Sequence, residues 1–406
     1  MTSRSLLEHR QDVVARLNTL TPLDLPLADA IGGVLARDAI APRDVPAVAI
    51  AQWDGYAVRA QDTAHANSQA VTLPVSHDVA PGAAPTRLAP GAAARVARGS
   101  AVPLGADAVV ARPTDAATAV VLDAEVPPGQ GIDPAGSYAH AGEIIVAAGT
   151  RLTPGHVSAM LACSVGAALV TPAPRVVIVT VGSELVQRAT TSHPSLTPDQ
   201  PVPDASGALL AALVTGVGGR VVRVVAVPDE AGALRQAVDD AALQADLVVT
   251  VGGTSDDWRD VVMPVLTGAC GAVRYQVRLS PGDMHAIGQV GDRDGRPVVL
   301  LAIPGHPVDV AAAFAGYVRD AILTLRGADT ARESVPAATG WHTPYGYAHV
   351  VPVVRSAHAG HVSVEPVVTG REVTLRDLAR ADGLAVVDES VTQVTAGDQV
   401  DVVWWS

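Results

Sequence analysis

The chain has 406 residues, a formal net charge of −13, and a composition that is 49% hydrophobic but only 3% aromatic. That length exceeds one ordinary core, so two to four domains are expected, with interiors of Val, Ala and Leu. The acidic balance, with no local basic stripe, excludes nucleic acid and anionic membrane as partners, and no apolar run approaches the roughly 20 residues of a membrane-spanning helix.

Residues 1–20 carry charges every few positions, so the apolar core of a secretion signal is missing. Cys163 and Cys270 lie far apart, with no Cys or His at ligand spacing. Both observations fit two reduced thiols in a cytoplasmic protein.

Ser5 to Leu20 reads as an amphipathic helix beginning at a Ser cap and ended by Thr21-Pro22. Leu27 to Val34 predicts a second short helix. From about Ala41 to Val146 short β-prone runs (Ala70 to Val75, Ala108 to Ala111, Val120 to Leu122) alternate with Pro and Gly, as in a small β-rich domain. Gly149 to Val170 turns helical again behind Thr153-Pro154, and Thr171 to Pro174 reads as a linker.

The next stretch has the clearest pattern. Strands at Arg175 to Val181, Arg220 to Val227, Ala245 to Val251 and Val298 to Ile303 alternate with helices at Ala208 to Val214, Ala231 to Ala242 and Val261 to Leu266. A last helix opens at Pro304-Gly305-His306-Pro307 and runs to about Leu325. This order predicts a doubly wound α/β sheet, which binds ligands in the crevice at its strand ends. Beyond Gly327, short alternating runs separated by turns predict a small all-β domain.

Asp54, Glu184, Asp204 and Asp260 fall at predicted strand ends or glycine turns, and three of the four follow strands of the same sheet. Convergent carboxylates of this kind could hold a hard cation, although each alone is equally at home in a solvated loop. Gly252-Gly253 ends one strand and is followed by Asp256, Asp257 and Asp260, with glycines that allow backbone to approach a ligand closely. Pro304-Gly305-His306-Pro307 either aims a helix N-terminus at an anion or forms a rigid turn. His306 and His285 are either proton carriers and phosphate donors or simply accommodated. There is no Walker A loop, no G-x-S-x-G elbow and no Cys/His cluster, which disfavours hydrolase triads and zinc chemistry.

Several segments, taken in order, resemble the MoeA/gephyrin-E family, the molybdopterin molybdenumtransferases. They are Leu27-Ala28-Asp29-Ala30-Ile31-Gly32, Asp54-Gly55-Tyr56-Ala57-Val58-Arg59, Gly105-Ala106-Asp107-Ala108, Gly182-Ser183-Glu184-Leu185, Gly252-Gly253-Thr254-Ser255 with Asp260, Pro281-Gly282, Pro304-Gly305-His306-Pro307-Val308, and Leu378 to Leu384. The resemblance covers essentially the whole chain. It implies an elongated N-terminal domain in two pieces (1–40 and 136–172), an inserted β domain (41–135), a molybdopterin-binding α/β domain (173–327) and a C-terminal β barrel (328–406).

It also implies a homodimer, with possible contacts to other proteins of molybdenum cofactor biosynthesis. The implied substrates are adenylylated molybdopterin and molybdate, with Mg2+ as the cation and AMP as a product. By this resemblance Asp54, Glu184, Asp204 and Asp260 are the catalytic acids, the last three being metal ligands. Gly182, Ser183, Gly252, Gly253, Thr254, Ser255, Pro281, Gly282, Pro304, Gly305, His306 and Pro307 are substrate-binding.

The chain departs from the family pattern at several motifs. Where the family has K-P-G-K-P this chain has Ser280-Pro281-Gly282-Asp283-Met284, and where it has P-G-N-P-V-S this chain has Pro304 to Asp309. The T-G-D-E-L motif has lost an Asp at Ser183, and Asp257 stands where a glycine is usual. Exchanging lysine for aspartate beside an anion reverses an attraction of order 1 to 4 kcal/mol. Three readings follow: a divergent molybdenumtransferase, an inactive paralogue acting as a pterin-binding or scaffold protein, or an adenylate-handling enzyme acting on another anion-bearing small molecule.

Overall fold

The computed structural model describes residues 2–111, 118–186, 202–254, 261–293, 296–358 and 361–405. The chain forms two compact units, one of Met1–Leu23, Gly32–Ala36 and Leu169–Ser406, the other of Asp24–Ile31 and Arg37–Ala168.

In the smaller unit a five-stranded sheet runs in the order Ala119–Leu122, Val71–Val79, Ala93–Val96, Gly55–Val58, Ala108–Ala111. Strand alternation gives it two apolar faces, with Tyr56 and Val58 in one core and Ala57 in the other. The chain enters and leaves this sheet side by side, through the antiparallel pair Ala39–Ile40 and Ile144–Val146. The helix expected over 149–170 covers only Pro154–Ala162, and the chain then extends as the strand Ala167–Thr171.

No helix forms over Leu27 to Val34. A turn there joins the strands Leu23–Pro26 and Val34–Leu35. Gly32 has φ +80°, outside helical space, and the apolar spacing that suggested a helix serves turn residues whose side chains are nonetheless buried.

The larger unit begins with β1 (Thr2–Ser5) and α1 (Leu6–Ala15). Ser5 caps α1 reciprocally with Glu8: the Glu8 N–H donates to Ser5 Oγ at 3.0 Å and the Ser5 N–H to Glu8 Oε2 at 2.8 Å. The helix is shorter than its apolar period because Leu17 and Leu20 are buried by non-helical chain.

The α/β region then supplies β2 (Arg175–Val181), α2 (Ala205–Gly216), β3 (Arg220–Val227), α3 (Ala231–Ala242), β4 (Leu247–Val251), α4 (Val262–Cys270), β5 (Val273–Ser280), β6 (Met284–Arg293), β7 (Arg296–Ile303), α5 (Pro307–Ala313) and α6 (Arg319–Arg326). A buried π turn, Phe314–Val318, joins α5 to α6. Strand order is β3-β2-β4-β7-β6-β5, the first four parallel and β6 antiparallel to both β7 and β5, with β1 parallel beside β5.

The central strands are apolar throughout because both faces are covered. Val176, Ile178, Val249 and Leu301 share one core with α1, α2, α5 and α6, while Val177, Val179, Val248 and Leu300 share the other with α3 and α4.

The last segment supplies β8 (Glu333–Pro336), β9 (Ala348–His358), β10 (His361–Pro366), β11 (Gly383–Val387) and β12 (Gln399–Trp404). They run β10-β9-β11-β12-β8 around a core that includes Trp341, Val351, Val353, Val364 and Val402. The sheet closes into a barrel where Ala337 bridges Val364 and the Ala338 N–H donates to the Val364 carbonyl at 2.8 Å. The architecture is the multidomain α/β arrangement with a C-terminal β barrel that the sequence predicted. Among the described residues no helix is long and apolar enough to cross a membrane.

Candidate functional site

The C-terminal ends of β2, β4 and β7 open onto a cleft of about 650 Å³. After β2 the chain is pinned to the end of β3: the Gly182 N–H donates to the Val227 carbonyl at 3.0 Å. Ser183 and Asp229 bond reciprocally, at 2.9 and 3.0 Å. Ser183 is therefore occupied beside the cleft, whereas Glu184 is exposed and lines it.

Asp204 is buried at the start of α2 and also lines the cleft. One of its oxygens accepts the Gly207 N–H at 2.7 Å, and the other accepts the Thr180 hydroxyl at 2.8 Å. It thus caps the helix and fastens it to the strand beneath. A carboxylate oxygen offers two lone pairs, so both oxygens retain acceptor capacity toward a ligand.

Gly252 and Gly253 have φ values of +97° and +67° at the end of β4. A Cβ at Gly252 would lie 2.9 Å from the Val181 carbonyl oxygen, and one at Gly305 would lie 3.1 Å from the Gly252 Cα. The glycines let the chains leaving β4 and β7 touch backbone to backbone. The Ser206 hydroxyl then ties α2 to the Gly305 carbonyl at 2.6 Å. His306 caps α5, its Nδ1 accepting the Val308 N–H at 3.4 Å, so the neutral ring carries its proton on Nε2.

A second chamber of about 620 Å³ adjoins the first and shares His306 and Asp309 with it. Ser280 and Pro281 line this chamber from the α/β region, and His342, His349 and Arg371 line it from the barrel. Gly282 and Asp283 line the first chamber, so the Ser280 to Asp283 turn has a face on each.

The electrostatics of the two chambers follow from burial and neighbours. Burial raises the Asp309 carboxyl above the usual carboxylate range, Asp283 pushes it further up, and His306 pulls it down. Burial lowers the His349 imidazole. Arg371 is a permanent cation, but its guanidinium forks onto Asp377 at 2.7 and 2.8 Å and is thereby largely neutralised. The chain contains no lysine, its 28 basic residues all being arginine, so no ammonium group is available in either chamber.

The structure thus brings together Glu184, Asp204, Gly252, Gly253, Thr254, Gly282, Pro304, Gly305, His306 and Pro307, with Gly182 and Ser183 beside them and Pro281 in the adjoining chamber. Asp54 lies in the smaller unit, where it accepts the Arg98 N–H at 2.9 Å. Ser255, Asp256, Asp257 and Asp260 lie outside the described residues. His285 lines neither chamber: it is completely buried with both ring nitrogens bonded, which excludes it as a direct phosphate donor.

Thr180, Ser206, His342, His349 and Arg371 are cleft residues that the sequence reading passed over. The barrel residues carry no strand-end signal and meet the cleft only through tertiary folding. Asp283 and Asp309 had a signal, since both stand where the chain departs from the family motifs.

Glu184 and Asp204, two of the carboxylates that line the cleft, suit a magnesium ion, which commonly takes one or two carboxylates and completes its shell with water and substrate phosphate. Among the described residues no group of three His, Cys, Asp or Glu side chains is placed to form a metal centre by itself.

Three family descriptions match successive parts of the chain: "MoeA N-terminal region (domain I and II)" over residues 4–165, "Probable molybdopterin binding domain" over 177–324, and "MoeA C-terminal region (domain IV)" over 334–405. Molybdopterin molybdenumtransferase 2 of Mycobacterium tuberculosis is 31% identical over 413 residues, an alignment covering 98% of this chain and 99% of the relative. Molybdopterin molybdenumtransferase 1 of the same organism is 29% identical and covers 99% of each.

Among solved structures, a molybdopterin biosynthesis MoeA protein from Pyrococcus horikoshii OT3 superposes with a TM-score of 0.75 at 22% identity, covering 99% of this chain and 100% of that one. A molybdenum cofactor biosynthesis protein from Pyrococcus furiosus gives 0.58 at 18% identity, covering 99% and 100%. These two likenesses are of fold. With three matched regions in one order and a relative aligned from end to end, the chain belongs to the MoeA family.

Proposed function

We propose that this chain hydrolyses adenylylated molybdopterin and inserts molybdenum from molybdate, releasing AMP. The observation that supports this best is the meeting of Glu184 and Asp204 with the Gly252-Gly253-Thr254 turn and the Pro304 to Pro307 segment in one cleft of a MoeA-family fold. Hydrolysis adds the oxygen of a water to phosphorus and breaks one phosphoanhydride P–O bond. Glu184, exposed in the cleft, would orient that water or accept its proton, and Asp204 would present a fixed carboxylate to the same space.

Magnesium, held by Glu184, Asp204 and Asp260, would supply charge neutralisation on the phosphates. Asp54 would be contributed by a second copy of the chain in a homodimer, and the reaction would take place in the cytoplasm. The four-domain division predicted from the sequence belongs to the same reading.

Incubating the protein with adenylylated molybdopterin, molybdate and magnesium, and following AMP by chromatography, tests the reaction. AMP and cofactor should both accumulate. Saturable pterin binding without AMP would replace this reading by that of a binding protein. A monomeric mass by light scattering at micromolar concentration would remove the homodimer.

The charge pattern yields a second expected result. Asp283→Lys exchanges a carboxylate for an ammonium group on the turn between the chambers, and opposite charges at contact distance attract by about 1 to 4 kcal/mol in partly exposed sites. Molybdate should bind roughly tenfold or more tightly to the variant by isothermal titration, and an unchanged affinity would place the anion elsewhere.

A further inference from the structure

We infer that His285 is a positioning residue for the cleft, acting through the Gly282 carbonyl. The inference rests on the reading of the cleft as the site for adenylylated molybdopterin and molybdate.

The Ser280 to Asp283 turn is the element that faces both chambers. It is fastened from below at three points. The Asp283 carbonyl accepts the Val277 N–H at 2.7 Å, and the Asp283 carboxylate accepts the Gln276 amide at 3.0 Å. The third bond reaches the middle of the turn, where His285 Nε2 lies 3.0 Å from the Gly282 carbonyl oxygen.

A carbonyl is only an acceptor, so His285 Nε2 carries the proton and Nδ1 is left with a lone pair. That lone pair meets the Tyr317 hydroxyl at 2.9 Å. Both His285 and Tyr317 are completely buried, so neither can exchange its partner for water without cost. One tautomer and one ring orientation are selected by the two bonds together.

The support extends one layer further. Tyr317 belongs to the Phe314–Val318 π turn, a form of helix found frequently at functional sites. The turn is braced by Arg332, which donates to the Ala315 and Gly316 carbonyls at 2.7 and 3.1 Å and to Asp320 at 3.1 Å. The His9 ring packs edge-on against Tyr317 at 4.5 Å between centroids and lies 5.5 Å from His285.

On the cleft side the tolerance is small. Gly282 has φ +76°, and a Cβ there would come 2.7 Å from the Asp309 Cβ, so movement of the turn is transmitted to a residue that lines both chambers. A misplacement of about 1 Å far from the chemistry can cost on the order of a hundredfold in rate.

Three variants separate positioning from plain core packing. His285→Gln keeps an N–H donor that can reach the Gly282 carbonyl, His285→Met keeps apolar volume and removes the donor, and Tyr317→Phe removes only the hydroxyl. For protein with a cooperative melt, the Met variant should lose roughly 10- to 100-fold in kcat/KM for AMP release. The Gln variant should stay within about threefold of wild type, since the donor persists. In the wild type the nitrogen NMR shifts of His285 should report a protonated Nε2, and Tyr317→Phe should disturb that signature.

A folded His285→Met variant with wild-type kcat and KM for both substrates overturns the inference. So does equal loss in the Met and Gln variants. If the Met variant does not fold, the Gln and Phe variants decide: His285→Gln at or below a tenth of wild-type kcat/KM overturns it. If the wild type itself releases no AMP, the proposed reaction fails, and affinities for adenylylated molybdopterin and molybdate across the same variants then decide the positioning role.

Discussion

Asp204→Ala should unfold about 2 to 4 kcal/mol more readily than the wild type and release AMP at least about a hundredfold more slowly. The stability loss has two sources. Removing the cap of α2 costs about 1 kcal/mol, because the Gly207 N–H loses its acceptor. The Thr180 hydroxyl, buried at the end of β2, loses its close partner as well, for a further 1 to 3 kcal/mol.

Asp204→Asn separates this structural part from the chemistry. Its amide oxygen can still accept the Gly207 N–H, and the Thr180 hydroxyl can rotate to accept from the amide nitrogen. Urea midpoints should therefore fall less than in the alanine variant, while AMP release falls nearly as far because the negative charge is gone. An asparagine variant with wild-type turnover would leave Asp204 as a helix cap and nothing more.

The second large effect is acid lability. Burial pushes the His285 imidazole down to about 4, against the upward pull of the Gly282 carbonyl and Asp283, and Arg4 lowers it slightly further. Burial also holds His9 well below the ordinary imidazole value, helped by His285, Arg4 and Arg16. Tyr317 and Tyr275 pack against His9, and burial raises the Tyr317 hydroxyl further above this pH range.

The sign follows from proton counting. Between about pH 6.5 and 4 the unfolded chain protonates these imidazoles and the folded chain does not, so the unfolded state binds more protons and stability falls as pH falls. The His285 shift alone amounts to ~3 kcal/mol across that window, with His9 adding in the same direction. Urea midpoints measured at pH 7, 5.5 and 4.5 should decline steadily, and His285→Met should flatten the decline. A midpoint independent of pH down to 4.5 would mean that these rings are solvated.

Much of the fold was legible because its causes are local. The runs Arg175–Val181, Leu247–Val251 and Arg296–Ile303 are apolar at successive positions, which only a strand covered on both faces requires, and each ends at a glycine or proline turn. A period-two alternation stands in Val273–Ser280, where Tyr275, Val277 and Leu279 interleave with Arg274, Gln276 and Arg278, yet its pairing with Met284–Arg293 is not among the elements that the sequence predicts. The Ser280 to Asp283 turn serves both as the link between these two strands and as lining of both chambers, and its composition signals only the second role. Leu27 to Val34 failed for the opposite reason: burial there comes from neighbouring chain and not from one face of a helix.

The candidate site divides along the same line. By itself the sequence determined the order of the motifs, the glycines at strand ends, and the cleft residues Glu184, Gly252 and Gly305, because a strand followed by a tight turn exposes its end wherever it lies in a sheet. Only the tertiary structure decided that Asp204 is bonded to Thr180, 24 positions away, that Arg371 reaches the second chamber already paired with Asp377, and that His285 lies beneath the cleft with Tyr317, 32 positions away, on its far side. Burial and hydrogen-bond partnership set what these charged and imidazole groups can do, and both are made by chain segments distant in sequence.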